Sequence, residues 1–305
     1  MYKILLESIR QIRAIILAKP YLYSLRKGST GPKEIGLVIF SYDRPMQLEA
    51  LLESVARFWP DANKISVIYK TSSERFSDAY RRIFAVHPNV TGLLEYNFKS
   101  QLIDAVGSLE VRWTCLMVDD DVLIRPVGRE IIPWLENGHV VSLRLGSHIT
   151  KCQPLGYVQQ NPTRLANMIS NGVTFIRWKW HGSTGDWELP FSLDGNIVNR
   201  LELLHHLRSR DFGSPNTLEG TLTNLTWTYM WESGVAFDTA RLVNIPMNRV
   251  QNSALFFPSM DISTKELLTM WEEGLRPNFT DFAARTWPSC HIEVMPTFEK
   301  IGRFV

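Results

Sequence analysis

The spacing of apolar and polar positions divides the chain into an N-terminal stretch, a regular first half and a less regular second half. Four short apolar runs, IGLVIF (35–40), KISVIY (64–69), VTGLLEY (90–96) and WTCLMV (113–118), have strand length and predict β-strands, the first and fourth of them buried. Between the first two, Leu48, Leu51, Leu52, Val55 and Phe58 mark one helical face that starts just past Pro45. ERFSDAYRRIFAV (74–86) and KSQLIDAVGSL (99–109) predict two further helices. Strands alternating with helices imply an α/β fold, a mostly parallel sheet flanked by helices.

Beyond residue 126 the pattern loosens. HVVSLRL (139–145) predicts another strand, and FSLDGNIVN (191–199) a strand leading into the helix RLELLHHLRS (200–209). SPNTLEGTLTNL (214–225) begins like a capped helix, and VAFDTARLVNIP (235–246) predicts two late strands. Residues 156–190 carry tryptophans among turn residues.

The N-terminus differs from both halves. Leu5, Ile9, Ile12 and Ile16 recur at helical spacing, while Lys3, Arg10, Arg13, Lys19, Arg26 and Lys27 add positive charge. This amphipathic helix has two readings. It rests on anionic lipid through residues 1–27 as a peripheral membrane contact, or it packs on its own domain or a second subunit. GSTGPKE (28–34) is a turn-rich linker. No run of about 18 apolar residues is present to span a bilayer.

Composition narrows the classes. A net charge of +2 over 305 residues argues against a nucleic-acid binder working through a basic face. Cys115, Cys152 and Cys290 form no CxxC pair, which gives neither a zinc site nor a disulfide framework. That usage suits a reducing compartment, and a cytoplasmic protein is expected. There is no GxGxxG, P-loop or GxSxG pattern.

Parallel sheets bind ligands outside the carboxyl ends of their strands, and conspicuous polar residues fall there. Tyr42 and Arg44 follow the first strand, Thr71 the second, Lys99 the third, and Asp119, Asp120 and Asp121 the fourth. In extended chain, residues two apart project the same way, so Asp119 and Asp121 share a face. They suit Mg²⁺ or Mn²⁺; the plainer reading is a solvated acidic turn. Tyr42 stacks on a base and Arg44 approaches phosphate or base, or FSYDRP is an ordinary strand-to-helix turn. Lys99 offsets a diphosphate or is a solvated helix-start lysine. Glu219 is a general base or a helix cap, and Asp194 bonds sugar hydroxyls or caps a turn. His291 is a candidate to complete the metal shell, whereas His205 and His206 read as packing residues. Trp178, Trp180 and Trp187 offer flat faces to sugar rings or belong to the core.

In this order the motifs resemble those of nucleotide-sugar glycosyltransferases of the GT-A fold, the exostosin-like type more than the family-2 type. The resemblance runs from Glu34 to Arg249. VIFSYDRPMQLEALLESV is similar to the base-binding strand and helix, LMVDDDVLIRP to the acidic DXD motif, and FSLDGNIVNRLELLHHL to the segment contacting sugar and acceptor. The resemblance implies a Rossmann-like GT-A domain, with 34–126 as the nucleotide-sugar-binding half, 127–305 as the acceptor half, and 1–33 as helix and linker. It implies Asp121 on the metal, and Asp119 on the ribose or a metal-bound water. Phe40, Tyr42, Arg44, Thr71, Lys99, Asp120 and Arg249 would surround the nucleotide. Expected partners are a nucleoside diphosphate sugar, with UDP favoured, and a glycan or lipid-linked acceptor. The expected product is surface glycan or polysaccharide, and the sugar a hexose or N-acetylhexosamine. The chain departs from the pattern in having Glu219 followed by Gly220 where an acidic pair stands, and a single Lys99 where several basic residues stand. Alternatives are a sugar nucleotidyltransferase and a non-catalytic glycan-binding protein on the same scaffold.

Overall fold

The computed structural model describes residues 19–153, 156–229, 232–248 and 262–300. Residues 19–28 form helix α1. The regular half follows the expected alternation: β1 (Ile35–Tyr42), α2 (Pro45–Phe58), β2 (Lys64–Lys70), α3 (Glu74–Val86), β3 (Val90–Leu94), α4 (Phe98–Ser108) and β4 (Trp113–Val118). Proline at the first position of α2 gives up an N–H that has no helical partner there, so it starts the helix at no cost. Then come β5 (Asp121–Leu123), α5 (Ile132–Glu136), β6 (Val140–Ser142), the short pair β7 (Lys151–Cys152) and β8 (Tyr157–Val158), β9 (Ala166–Ser170), β10 (Val173–Lys179), β11 (Asn196–Asn199), α6 (Arg200–Ser209), α7 (Pro215–Thr223), β12 (Ser233–Phe237), β13 (Leu242–Asn244), α8 (Thr264–Glu272), β14 (Leu275–Asn278) and β15 (Thr297–Lys300).

Nine strands form one sheet in the order β3-β2-β1-β4-β11-β6-β12-β10-β9. Only β11 and β10 run against the common direction, so the sheet is mixed but mostly parallel. Strand periodicity builds two cores. Leu37, Ile39, Cys115 and Met117 face α2, α3 and α8, while Val38, Phe40 and Leu116 face α4, α6 and α7. Runs such as β1 are apolar throughout because both faces are covered.

Three features differ from the sequence reading. The strand expected over 191–199 starts only at Asn196, because Gly195 turns the chain with φ at +79°. Residues 166–179 form a hairpin, β9–β10, around Asn171-Gly172, both with positive φ (51° and 75°). Asn-Gly is the pair that such a two-residue turn selects, so the signal stood in the sequence. Trp178, Trp180 and Trp187 are all buried, packed edge to face at 4.9 and 5.0 Å. They are core and present no face to a ligand.

The expected N-terminal helix lies outside the described residues up to position 18. The described part, α1, packs on its own domain. Leu22 is buried, and Arg26 pairs with Glu202 of α6 at 2.8 Å and with Glu232 at 2.6 Å. No helix among the described residues is long and apolar enough to cross a membrane.

Candidate functional site

The carboxyl ends of β1, β2 and β4 and the start of α7 enclose a cleft of about 360 Å³. Its walls include Phe40, Tyr42, Arg44 and Asp119 together with Lys70, Glu95 and Ser214 to Asn216. β1 and β4 are neighbours in register, Phe40 opposite Val118, which brings Tyr42 and Asp119 to one edge.

Asp119 is fixed from three sides. Its Oδ2 accepts from Ser41 Oγ (2.7 Å) and the Tyr42 N–H (3.3 Å), and its Oδ1 from Arg44 Nη1 (2.9 Å). Asp43 takes the left-handed conformation, φ 53°, and its Oδ1 accepts the Ser72 N–H, which folds Arg44 back onto the triplet. Arg44 Nη1 also donates to Asp120 Oδ2 at 2.7 Å, while Nε and Nη2 donate to the side chain and backbone of Asn248. Arg44 is therefore the buried counter-ion of Asp119 and Asp120 as well as a wall of the cleft. Burial still raises both acids, Asp120 to about 7, against the pull of Arg44.

Asp121 opens β5, which pairs with β13, so Asn244 stands opposite it. Its Oδ1 accepts from Asn244 Nδ2 and its Oδ2 from the Val118 N–H, both at 3.1 Å. No basic side chain among the described residues forms an ion pair with it. Burial raises Asp121 well above the carboxylate range, and Asp194 and Asp120 raise it further.

Asp194 reaches the same edge from the opposite direction. β11 runs antiparallel to β4, so its start lies where β4 ends. Asp194 Oδ2 accepts from Arg144 Nη1 at 3.0 Å and stands 3.7 Å from His291 Nε2. His291 bridges to Asn244, next in line from Asp121, and burial lowers its pKa so that it is neutral at pH 7. Glu219 is the fifth residue of α7, whose cap is Ser214, so it is not the helix cap. Half-buried, it is pushed up to about 7 by burial and then by Asp194, against Arg144.

The remaining expected residues lie elsewhere. Thr71 hydrogen-bonds Ser77 at 2.9 Å and does not line the cleft. Lys99 pairs with Asp211 at 2.8 Å, away from the cleft wall, because it points along α4 toward the 211 turn. Arg249 lies outside the described residues. His206 is a packing residue, bonded to Tyr229 at 2.9 Å. Sequence reasoning passed over Arg144, although an arginine inside the apolar run SLRL was a visible anomaly. Asn244 and Asn248 carried no such signal.

The donor set suits a divalent cation in its chemistry. A buried carboxylate without a basic partner, with further carboxylates beside it, is a hard oxygen site. No group of three His, Cys, Asp or Glu among the described residues is arranged to hold a metal by itself. Mg²⁺ commonly takes one or two carboxylates and completes its shell with substrate phosphates and water, which that arrangement permits.

No family model matches the chain. In sequence it is 23% identical over 181 residues to the bifunctional glycosyltransferase pgtA of Dictyostelium discoideum, covering 53% of this chain and 23% of that protein. Among solved structures it is similar to S. aureus TarS 1–349 in complex with UDP, with a TM-score of 0.44, 14% identity and coverage of 68% and 59%. A cytidylyltransferase from Leptospira borgpetersenii gives a TM-score of 0.35 at 13% identity, covering 64% and 71%. The chain spans less than a quarter of pgtA and under two thirds of TarS 1–349.

Proposed function

We propose that the protein is a glycosyltransferase that moves a sugar from a nucleoside diphosphate sugar to a hydroxyl acceptor. One observation carries the reading: a nucleotide-sized cleft ends at Asp119, beside the buried Asp121 and Asp194 and the half-buried Glu219. Phe40 and Tyr42 supply apolar walls for a base, and Asp119, held by Ser41 and Arg44, accepts a ribose hydroxyl. Asp121, with Asp119, would hold Mn²⁺ or Mg²⁺. Such an ion neutralises the charge of a departing diphosphate. Asp194 accepts a sugar hydroxyl. Glu219, poised near neutrality, takes the proton of an attacking hydroxyl. A UDP-sugar carrying a hexose or N-acetylhexosamine, a glycan or lipid-linked acceptor, and cytoplasmic work at a membrane surface complete the proposal.

The passage from β1 into α2, SYDRP (41–45), has no glycine with which to wrap a triphosphate, which disfavours a nucleotidyltransferase. The test is calorimetric titration of UDP and GDP with and without Mn²⁺, alongside Asp121→Ala. Metal-dependent binding that is lost in the variant is expected. Binding indifferent to metal and to the variant removes Asp121 from this role, and no nucleotide binding at all leaves the glycan-binding alternative.

A further inference from the structure

We propose that Arg144 is a positioning residue: backed by Asp186, its guanidinium anchors one oxygen of Asp194 and leaves the other free for a substrate hydroxyl. The inference rests on the glycosyltransferase reading above and names the groups that prepare that site.

Arg144 lies two residues past β6 and its side chain is only 2% exposed. Nη1 donates to Asp194 Oδ2 at 3.0 Å, and Nη2 stands 3.1 Å from Asp186 Oδ1. Each carboxylate is held differently. Asp186 is closed: Gln159 donates Nε2 to its Oδ2 and accepts its backbone N–H on Oε1, both at 3.0 Å. The backbone beneath it is tied into the aromatic core, since Trp178 Nε1 donates to the carbonyl of Trp187 at 3.0 Å and Trp187 Nε1 to that of Ile149 at 3.3 Å. Asp186 therefore faces no ligand and serves only to fix the arginine.

Asp194 is half open. Its three side-chain neighbours, Arg144 Nη1, Ser192 Oγ and His291 Nε2, all address Oδ2, at 3.0, 3.5 and 3.7 Å. Its Oδ1 has no hydrogen-bond partner among the described residues and is not one of the sealed, unsatisfied polar atoms. The backbone is fixed as well, because Ser192 Oγ accepts the Asp194 N–H at 3.1 Å and Gly195 makes the left-handed turn into β11. One oxygen is clamped and the other presented.

Stability alone is a poor reason for this construction. A buried ion triad is commonly matched or exceeded in stability by apolar residues of similar volume, so its retention points to a demand for geometry. The planar guanidinium is suited to this, since it directs one hydrogen bond at Asp194 while its charge is paired with Asp186 on the adjacent nitrogen, where lysine offers a single point charge.

The test uses the full chain with Mn²⁺ and a panel of UDP- and GDP-sugars, reading release of nucleoside diphosphate. Asp186→Asn keeps the volume at a position remote from substrate while weakening the hold on Arg144. We expect kcat to fall about tenfold with the donor KM unchanged, as when an interaction made only in the transition state is lost. Arg144→Lys should behave similarly. Adding Asp186→Asn to Asp194→Asn should cost nothing more, since both act through one carboxylate. Thermal melting and active-fraction titration separate these effects from unfolding. A kcat within about twofold of wild type in Asp186→Asn, or a full loss on top of Asp194→Asn, overturns the positioning role alone. A well-folded wild type that releases no diphosphate from any donor overturns the glycosyltransferase reading, and this inference with it.

Discussion

Arg44→Met isolates the charge that holds the aspartate triplet together. Methionine keeps an unbranched apolar stem but removes the donors to Asp119 and Asp120 and both contacts with Asn248. Removing one side of a buried ion pair costs about 3–5 kcal/mol, because the remaining charge is left without compensation. Two carboxylates are stranded here, yet Asp120 is already near its titration point at about 7 and takes up a proton readily. Protonation relieves the penalty at low pH, so the loss should sit at the lower end of that range near pH 6 and grow toward pH 8. With a slope of about 3 kcal/mol per molar urea, the unfolding midpoint falls by roughly 1–1.7 M. The assay is urea unfolding in EDTA at both pH values, repeated with Mn²⁺. A divalent ion at about one hundred times its Kd returns about 2.7 kcal/mol, and the variant should gain more than the wild type, where Arg44 already offsets two of the three charges. A loss below about 1 kcal/mol, or an equal loss when Asp119→Asn and Asp120→Asn are also present, would refute the counter-ion account.

Four further outcomes are expected. Glu219 must ionise to accept a proton, so the rate should rise with pH around 7; Glu219→Gln should remove that limb and lower the rate by about 10²–10⁴. Because burial raises Glu219 from 4.5 to about 7, the native state binds the extra proton between those values, and stability falls as pH rises across the window; the same variant should flatten melting temperature against pH. Gly195→Ala places a methyl 2.9 Å from Leu242 Cδ1 at a φ of +79°, and should cost about 1–2 kcal/mol for the backbone alone, measured by urea unfolding. Trp187→Ala should cost about 3–5 kcal/mol of stability while leaving donor KM unchanged; weakened donor binding at full stability would restore the sugar-platform reading.

The first half of the fold was legible because β1, β2 and β4 are largely buried and α2 and α3 are amphipathic, so burial and periodicity coincide; β3, at the sheet edge, is half exposed. The strand edge carrying Tyr42, Arg44 and Asp119 followed from that alternation alone. What sequence could not show was pairing at long range. That Arg44 would turn inward depends on the left-handed Asp43 and on Asn248, some two hundred residues away. Asp194 reaches its edge through the start of an antiparallel strand, a direction that the sequence pattern does not reveal. The tryptophans looked equally suited to core or ligand until the β9–β10 hairpin folded them under the sheet. Thr71 and Lys99 had the right residue types at the right strand ends, but other partners claim them, the nearby Ser77 and the sequence-distant Asp211.

The place of β11 in the sheet has a consequence for biosynthesis. It lies between β4 and β6, both of which precede it in the chain by more than fifty residues. Until residue 199 has left the ribosome, β4 and β6 each present a bare edge of unpaired N–H and C=O groups, one of them on a mostly apolar strand. Nascent chains paused short of that point should be prone to edge-to-edge association and dependent on chaperones. The four-residue strand that carries Asp194 into place is thus also the wedge that joins β4 to β6, while β12, later still in the chain, joins β6 to the β9–β10 hairpin.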